Sequence, residues 1–352
     1  MTTSRRIPIG ILGVTGLVGR RALARLADHP WFEVVEAGAS DASAGMSLDG
    51  LRVRALEESG RDSMSGGEVP GAVRALNGDW SAPVLISALP ASVARDVEPR
   101  LAAAGHLVLS NASAHRSDPA VPLVLPDVNP DHLDLLGPNG GIVTNPNCSV
   151  ATFLPPLARL HRAFGVEAVT VTTMQAVSGA GANGPTLLDL ADNVLPSIAG
   201  EEDKLMREPG KLLGRIRDGR IEPASFPVSA TTTRVPVLHG HLVDVAVRLS
   251  GDPDPSDART VLATVPDDPS MDGPTLSQLR ILLREEALRP QPRLDRGALG
   301  GMAVTVGRIR RCPVHGLRFV CLAHNLERGA AGAAVANAEL ARVRGLIPGV
   351  SA

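Results

Sequence analysis

Ile7-Pro-Ile-Gly-Ile-Leu-Gly13-Val-Thr-Gly16-Leu-Val-Gly19-Arg-Arg-Ala-Leu-Ala-Arg-Leu-Ala27 places an apolar run, three evenly spaced glycines and an amphipathic repeat in direct succession. Ile7 to Leu12 predicts a strand and Leu17 to Ala27 a helix, with the glycines at the turn between them. Such a turn lets a pyrophosphate approach the backbone closely, with the first helical N–H groups aimed at the anion. Gly13, Thr15, Gly16, Leu17, Val18 and Gly19 are therefore the first candidate cofactor residues. A bare GxxGxxG also suits a turn that only packs a helix on a strand. Its position behind the first strand of an alternating pattern favours the dinucleotide.

The pattern continues outward. Phe32 to Ala37, Pro83 to Ala88 and His106 to Ser110 read as strands, and Val93 to Ala104 as a helix between the last two. Strands alternating with helices predict a parallel, doubly wound sheet. The adenosine ribose should then lie beside Ala39-Ser40-Asp41-Ala42-Ser43. Ser40 and Ser43 offer hydroxyls for a 2′-phosphate, whereas Asp41 would repel one. Glu57 to Gly71, rich in Gly, Ser and Glu, reads as an exposed loop.

The texture changes beyond Cys148. Val166 to Gln175 and Arg234 to Leu249 are long, alternating, β-branched runs that suit a mixed sheet with one solvated or subunit-facing side. Gly251 to Gln278 reads as a short helix between loops, and Met302 to Ile309 and Phe319 to His324 as strands. Gly329 to Val343 is an Ala-rich helix able to return to the first domain. The predicted fold class is α/β: a Rossmann-type parallel sheet domain (1–148 with 329–352) and an α+β catalytic and dimerisation domain with a mixed sheet (149–328). A length of 352 residues suits two such cores.

Composition excludes several classes. A formal net charge of −2, no Tyr, five Phe and two Trp argue against a nucleic-acid partner. Three cysteines, Cys148, Cys312 and Cys321, show no metal-ligand spacing and suggest a reducing compartment. The N-terminus runs directly into the first strand without an apolar leader or membrane span, which reads as cytoplasmic. Only two of the 35 basic residues are lysines, Lys204 and Lys211. In so Arg-rich a chain, each lysine is a candidate for a place that needs a compact ammonium.

Thr144-Asn-Pro-Asn147-Cys148-Ser149 puts a cysteine where a strand ends and an apolar helical pattern, Val150 to Phe164, begins. A helix N-terminus favours thiolate, so Cys148 is a candidate nucleophile near neutral pH. Pro155-Pro156 predicts a kink or a new first turn in that helix, leaving the dipole to a short first turn.

Five motifs carry a resemblance: Asn147-Cys148-Ser149; Thr172-Thr-Met-Gln-Ala-Val-Ser-Gly-Ala-Gly181; Gly200-Glu-Glu-Asp-Lys204; Arg234-Val-Pro-Val-Leu-His-Gly-His241; and Asn325-Leu-Glu-Arg-Gly-Ala-Ala-Gly332. In this order they resemble the aspartate-semialdehyde dehydrogenases of the archaeal and fungal type. The resemblance implies NADP-dependent reduction of L-aspartyl-4-phosphate to L-aspartate 4-semialdehyde, on the route to lysine, methionine and threonine, by a homodimer or homotetramer. It implies a Cys148 thioester with His241 as acid/base, Gln175 orienting the acyl-enzyme and Asn147 helping the oxyanion. Arg234 would take the α-carboxylate, Glu201 the α-ammonium, and Lys204 with Arg116 the phosphate. Ser178, Gly179 and Asn325 would bind the coenzyme, Asn325 at the nicotinamide carboxamide.

The chemistry is consistent with those residue types. Converting an acyl phosphate to an aldehyde by hydride requires a thiolate to displace phosphate and hold the acyl carbon, with an imidazole to manage protons. On one strand His239 and His241 would share a face, so spacing alone does not choose between them. The family's usual Ser-x-Arg-Ser-Ala-Gly-Lys in the adenosine loop is here Ser40-Asp-Ala42-Ser-Ala-Gly-Met46. Without those cations, NADP selectivity should be weaker and NAD use possible. The rival enzymatic reading is malonyl-CoA reduction, which needs no partner for an α-ammonium. A non-catalytic nucleotide-binding protein is the rival outside enzymes.

Overall fold

Strand β1 (Ile7–Leu12) enters the glycine turn and helix α1 (Leu17–Leu26) leaves it, in the computed structural model, which describes residues 6–60, 69, 71–181, 184–265 and 268–350. A Cβ on Gly19 would lie 2.2 Å from the Gly13 carbonyl oxygen, so glycine alone permits this close return of the helix onto the strand. The first half of the chain continues through β2 (Phe32–Ala39), α2 (Leu48–Glu58), β3 (Arg74–Ala75), β4 (Val84–Ser87), α3 (Ala91–Ala103), β5 (Leu107–Ser110) and β6 (Gly141–Thr144). All six strands pair in parallel in the order β3-β2-β1-β4-β5-β6. The chain reverses its winding between β1 and β4, and in such sheets ligands lie beyond the strand ends at that crevice.

Helix α4 (Cys148–Phe164) leads into a second, mixed sheet. The succeeding elements are β7 (Val166–Gln175), α5 (Glu201–Leu212), the β8–β9 hairpin (Arg215–Arg217, Arg220–Glu222), β10 (Val228–Arg234), β11 (His241–Leu249), α6 (Pro255–Ala263), β12 (Ile281–Arg284), α7 (Pro292–Asp295), β13 (Val304–Cys312), β14 (Gly316–Ala323) and α8 (Gly332–Val343). The sheet order is β10-β7-β11-β14-β13-β12, with β10–β7 and β12–β13 parallel and the central pairs antiparallel. Along β7, Val169, Val171, Thr173 and Gln175 are buried, while Thr170, Thr172 and Met174 on the opposite face are half-exposed. Apolar residues of α4 cover the buried face with Val243, Val245 and Phe319. A separate core joins the parallel sheet to Ala334, Val335, Ala338 and Leu340, so α8 does return to the first sheet.

Several expectations are corrected. Helix α4 is continuous across Pro155 and Pro156; the prolines only withhold the N–H groups that would reach the Ala151 and Thr152 carbonyls, while apolar burial holds the helix together. Glu57 and Glu58 close α2, an element the sequence reading did not contain, and residues 61–68 and 70 of the expected loop lie outside the described residues. The run Arg234 to Leu249 is two strands separated by residues 235–240. Gly240, at φ +98°, breaks it in a conformation that favours glycine, so His239 is not on the strand that begins at His241.

Candidate active site

Asn147 begins the site by capping α4. Its side-chain oxygen accepts the Ser149 N–H at 2.9 Å, leaving Cys148 as the first helical residue. Gly329 packs against Cys148 so closely that a Cβ there would lie 2.6 Å from the Cys148 Cβ. The sulfur lies 3.1 Å from His241 Nε2. At the other ring nitrogen, the Ala176 N–H donates to His241 Nδ1 at 3.0 Å. Nδ1 is thus an acceptor, and the proton of a neutral ring resides on Nε2, facing sulfur. His241 is the first residue of β11 and Ala176 follows β7; pairing of these two strands aligns the ring.

The environment overturns the expectation of a ready thiolate. Burial pushes the Cys148 thiol up to about 12, with the Glu201 carboxylate adding to the shift; Arg116, Arg234 and the Ser149 N–H oppose it without prevailing. Burial, reinforced by Arg234, pushes His241 down to about 3. Both shifts favour the neutral thiol and the neutral imidazole in the free protein. The helix terminus lowers the thiol's proton affinity, but desolvation of the half-buried sulfur outweighs it.

Glu201, at the start of α5, links most of the remaining predicted residues. Its carboxylate accepts from Lys204 Nζ at 2.7 Å, Asn147 Nδ2 at 2.7 Å and Gln175 Nε2 at 3.4 Å. Burial raises its proton affinity, but these donors, Lys204 foremost, hold the carboxyl below its usual range. Asn147 Nδ2 spends one of its two N–H groups on Glu201. Arg234 is buried at the end of β10 and donates to the Ala176 carbonyl at 2.8 Å. A Cβ on Gly179 would come within 2.9 Å of both Arg234 Nη1 and His241 Cε1, so only glycine admits this approach. Arg116 contacts Glu208 at 3.1 Å and the Asn111 carbonyl at 2.8 Å, and its buried Nε has no partner.

The predicted coenzyme residues Ser178 and Asn325 form a neighbouring group. Asn325 Nδ2 donates to Ser178 Oγ at 2.9 Å, and Asn325 Oδ1 accepts the Gly240 N–H at 2.9 Å. His239 Nδ1 meets the same Ser178 hydroxyl at 2.8 Å, and its ring stacks on His324 with centroids 5.4 Å apart. His239 therefore belongs to the Ser178 and Asn325 group, not to the sulfur.

A dinucleotide fits the turn before α1. Among the described residues the N–H groups of Leu17, Val18 and Gly19 find no backbone acceptor, and Gly16 caps the helix without a side chain, so these donors suit an anion. At the adenosine end Ser40, Asp41, Ala42 and Met46 are exposed, with Ser43 half-exposed. Arg74 reaches this end of β2 through the β2–β3 pair, but it is committed to Glu36 at 2.6 Å, to the Asp79 carbonyl and to the face of Trp80 at 4.9 Å.

Glu208 and Lys211, one helical turn apart on α5, were missed as contributors to the site. The scarcity of lysine was the one available signal for Lys211. Glu208 binds both Arg116 and the Asn147 N–H, the latter at 2.5 Å.

Comparison with known proteins agrees with this geometry. Residues 8–136 match the family described as semialdehyde dehydrogenase, NAD binding domain, and residues 157–328 match semialdehyde dehydrogenase, dimerisation domain. The aspartate-semialdehyde dehydrogenase of Archaeoglobus fulgidus is 42% identical over 346 residues, covering 95% of this chain and 98% of its own. This chain belongs to the aspartate-semialdehyde dehydrogenase family. A second member of the family, from Cryptococcus neoformans, is 40% identical and covers 99% of this chain and 100% of its own. The crystal structure of the Candida albicans aspartate-semialdehyde dehydrogenase with NADP superposes with a TM-score of 0.83 at 32% identity, covering 97% of this chain and 100% of that one. Family membership makes the chain an NAD(P)-dependent oxidoreductase. No helix among the described residues is long and apolar enough to cross a membrane.

Proposed function

We propose that the protein catalyses NADP-dependent reductive dephosphorylation of L-aspartyl-4-phosphate to L-aspartate 4-semialdehyde through a thioester on Cys148. The observation that carries this reading is the 3.1 Å approach of Cys148 Sγ to His241 Nε2, with the charges of Glu201, Arg116 and Arg234 acting on the sulfur and Lys204 bound to Glu201. Those charges match the substrate's phosphate, α-carboxylate and α-ammonium. The inward-facing carboxylate of Glu201 supports an amino-acid substrate over malonyl-CoA, whose acyl group has no ammonium to neutralise it.

The bound coenzyme supplies hydride to the acyl carbon. The protein's residues do the rest. Cys148 sulfur attacks the acyl carbon, the carbon–oxygen bond to phosphate breaks, and phosphate leaves toward Arg116 and Lys204, taking up the proton that the thiol gives up. With the thioester carbon reduced, the carbon–sulfur bond would break, releasing aldehyde and leaving on Cys148 a thiolate that the His241 Nε2–H holds until a solvent proton restores the thiol. His241 acts as a donor at sulfur because Ala176 occupies its other nitrogen. Glu201 is the charge that most opposes thiolate formation after burial itself, and it is also the group the substrate ammonium neutralises. Substrate binding thereby favours the ionisation that the chemistry requires.

The division into a dinucleotide domain (1–148 with 329–352) and a catalytic domain (149–328) belongs to the same proposal. So do a cytoplasmic location, the absence of a nucleic-acid partner, and a homodimer or homotetramer formed through the half-exposed face of β7 and its neighbours. The test runs the reaction in reverse, following phosphate-dependent reduction of NADP and NAD with L-aspartate semialdehyde beside a Cys148→Ala control. Turnover that requires both phosphate and Cys148 is expected; turnover independent of phosphate, or surviving the substitution, would refute the mechanism.

A further inference from the structure

Both lysines of the chain lie on α5, two helical turns apart, and only Lys204 has a role in the proposed chemistry. Lys211 is buried, and its ammonium is held by backbone carbonyls. Nζ donates to the carbonyls of Arg116 at 2.8 Å, Asp118 at 2.5 Å and Val121 at 2.8 Å. Three donors meet three acceptors, so no N–H remains for a ligand. Burial costs this cation enough to push it down to about 8, against the pull of Asp118 and Glu208. Retaining a lysine at that cost, in a chain that otherwise uses arginine, points to a task that only a compact tetrahedral head performs.

The three carbonyls belong to the segment that begins with Arg116. One turn earlier on the same helix, Glu208 binds the Arg116 guanidinium and the Asn147 N–H ahead of Cys148. Helix α5 thus grips Arg116 twice, by its side chain and by its main chain, and connects it to the start of α4.

We infer that Lys211 is a positioning residue for phosphate: by gathering the carbonyls of Arg116, Asp118 and Val121 it fixes the turn that presents Arg116 to the phosphate leaving or attacking at Cys148. The inference rests on the proposed role of Arg116. Lys211 touches neither substrate nor coenzyme; it sets where one substrate-binding cation stands.

The test measures KM for phosphate, aspartate semialdehyde and NADP in the oxidative direction for wild type, Lys211→Met and Lys211→Arg, with unfolding midpoints recorded. Lys211→Met should raise KM for phosphate by about tenfold or more while the other two constants stay within about twofold, because a misplaced binding group weakens only its own ligand. Lys211→Arg should show the same phosphate-specific rise, since a planar guanidinium cannot converge on three carbonyls. Should Lys211→Met not fold, Lys211→Arg decides. An unchanged phosphate KM, a parallel rise in all three constants, or full recovery by arginine would overturn the inference. Absence of phosphate-dependent turnover in the wild type would refute the underlying functional reading.

Discussion

The two ends of the cleft are built on opposite principles. At the substrate end His241 and Arg234 are buried, Cys148, Glu201 and Arg116 are half-buried, and all are fastened to one another or to backbone. At the adenosine end Ser40 to Met46 project into solvent, and Arg74 is locked onto Glu36 and Trp80. Buried charges carry large desolvation costs, so each requires a partner and the set acts as a unit. Exposed side chains act singly and are screened. On the proposed assignment of these residues, reaction chemistry is fixed by a network that tolerates little change, whereas coenzyme selectivity rests on a few side chains that vary at small cost.

That contrast is tested by substitution at each end. The largest effect is expected for His241→Gln, which should lower kcat by about 10²- to 10⁴-fold, the usual contribution of a positioned proton donor. A loss below tenfold would break the account of Nε2–H as the group that holds the departing thiolate. Next, Glu201→Gln should raise KM for aspartate semialdehyde by about 10- to 100-fold, the range for losing a charged hydrogen-bond partner, with NADP binding little changed. The same substitution should speed alkylation of Cys148 at a given pH, because it removes a charge that raises the thiol. Slower alkylation would show that Glu201 does not oppose the thiolate.

A smaller but sharper effect concerns pH. With its thiol pushed up to about 12, wild-type Cys148 in the free protein should be alkylated about tenfold faster for each pH unit between 7 and 9, with no plateau. A plateau near neutrality would mean that the helix terminus prevails over burial. The smallest effect belongs to the adenosine end. Ala42→Arg should raise the preference for NADP over NAD by about tenfold through one charge-assisted contact with the 2′-phosphate. No change in the ratio would place the phosphate away from Ser40 and Ser43.

How far the sequence could be read follows the same division between local and distant causes. The glycine turn, α1 and β7 depend on neighbouring residues, and their patterns predict them. Helix α2 lies between glycines and weakly patterned residues, so its burial of Leu48, Leu51, Ala55 and Leu56 shows only in three dimensions. The prolines of α4 gave a sound local expectation that tertiary burial overrode. Cys148 shows the limit most clearly. Its position at a helix start was visible in the hexapeptide, but its ionisation depends on Glu201, Arg116 and Arg234, far away in sequence. Family motifs supplied most of the substrate residues, yet they omitted Glu208 and Lys211, whose contacts are with Arg116 and its turn.

The most direct test of the central claim is intact-protein and peptide mass spectrometry of the enzyme mixed with aspartate semialdehyde and NADP without phosphate. The account predicts one aspartyl group on the peptide containing Cys148, discharged on addition of phosphate and absent from Cys148→Ala. Coenzyme reduction in a single turnover with no adduct, or with the adduct on another residue, would contradict it.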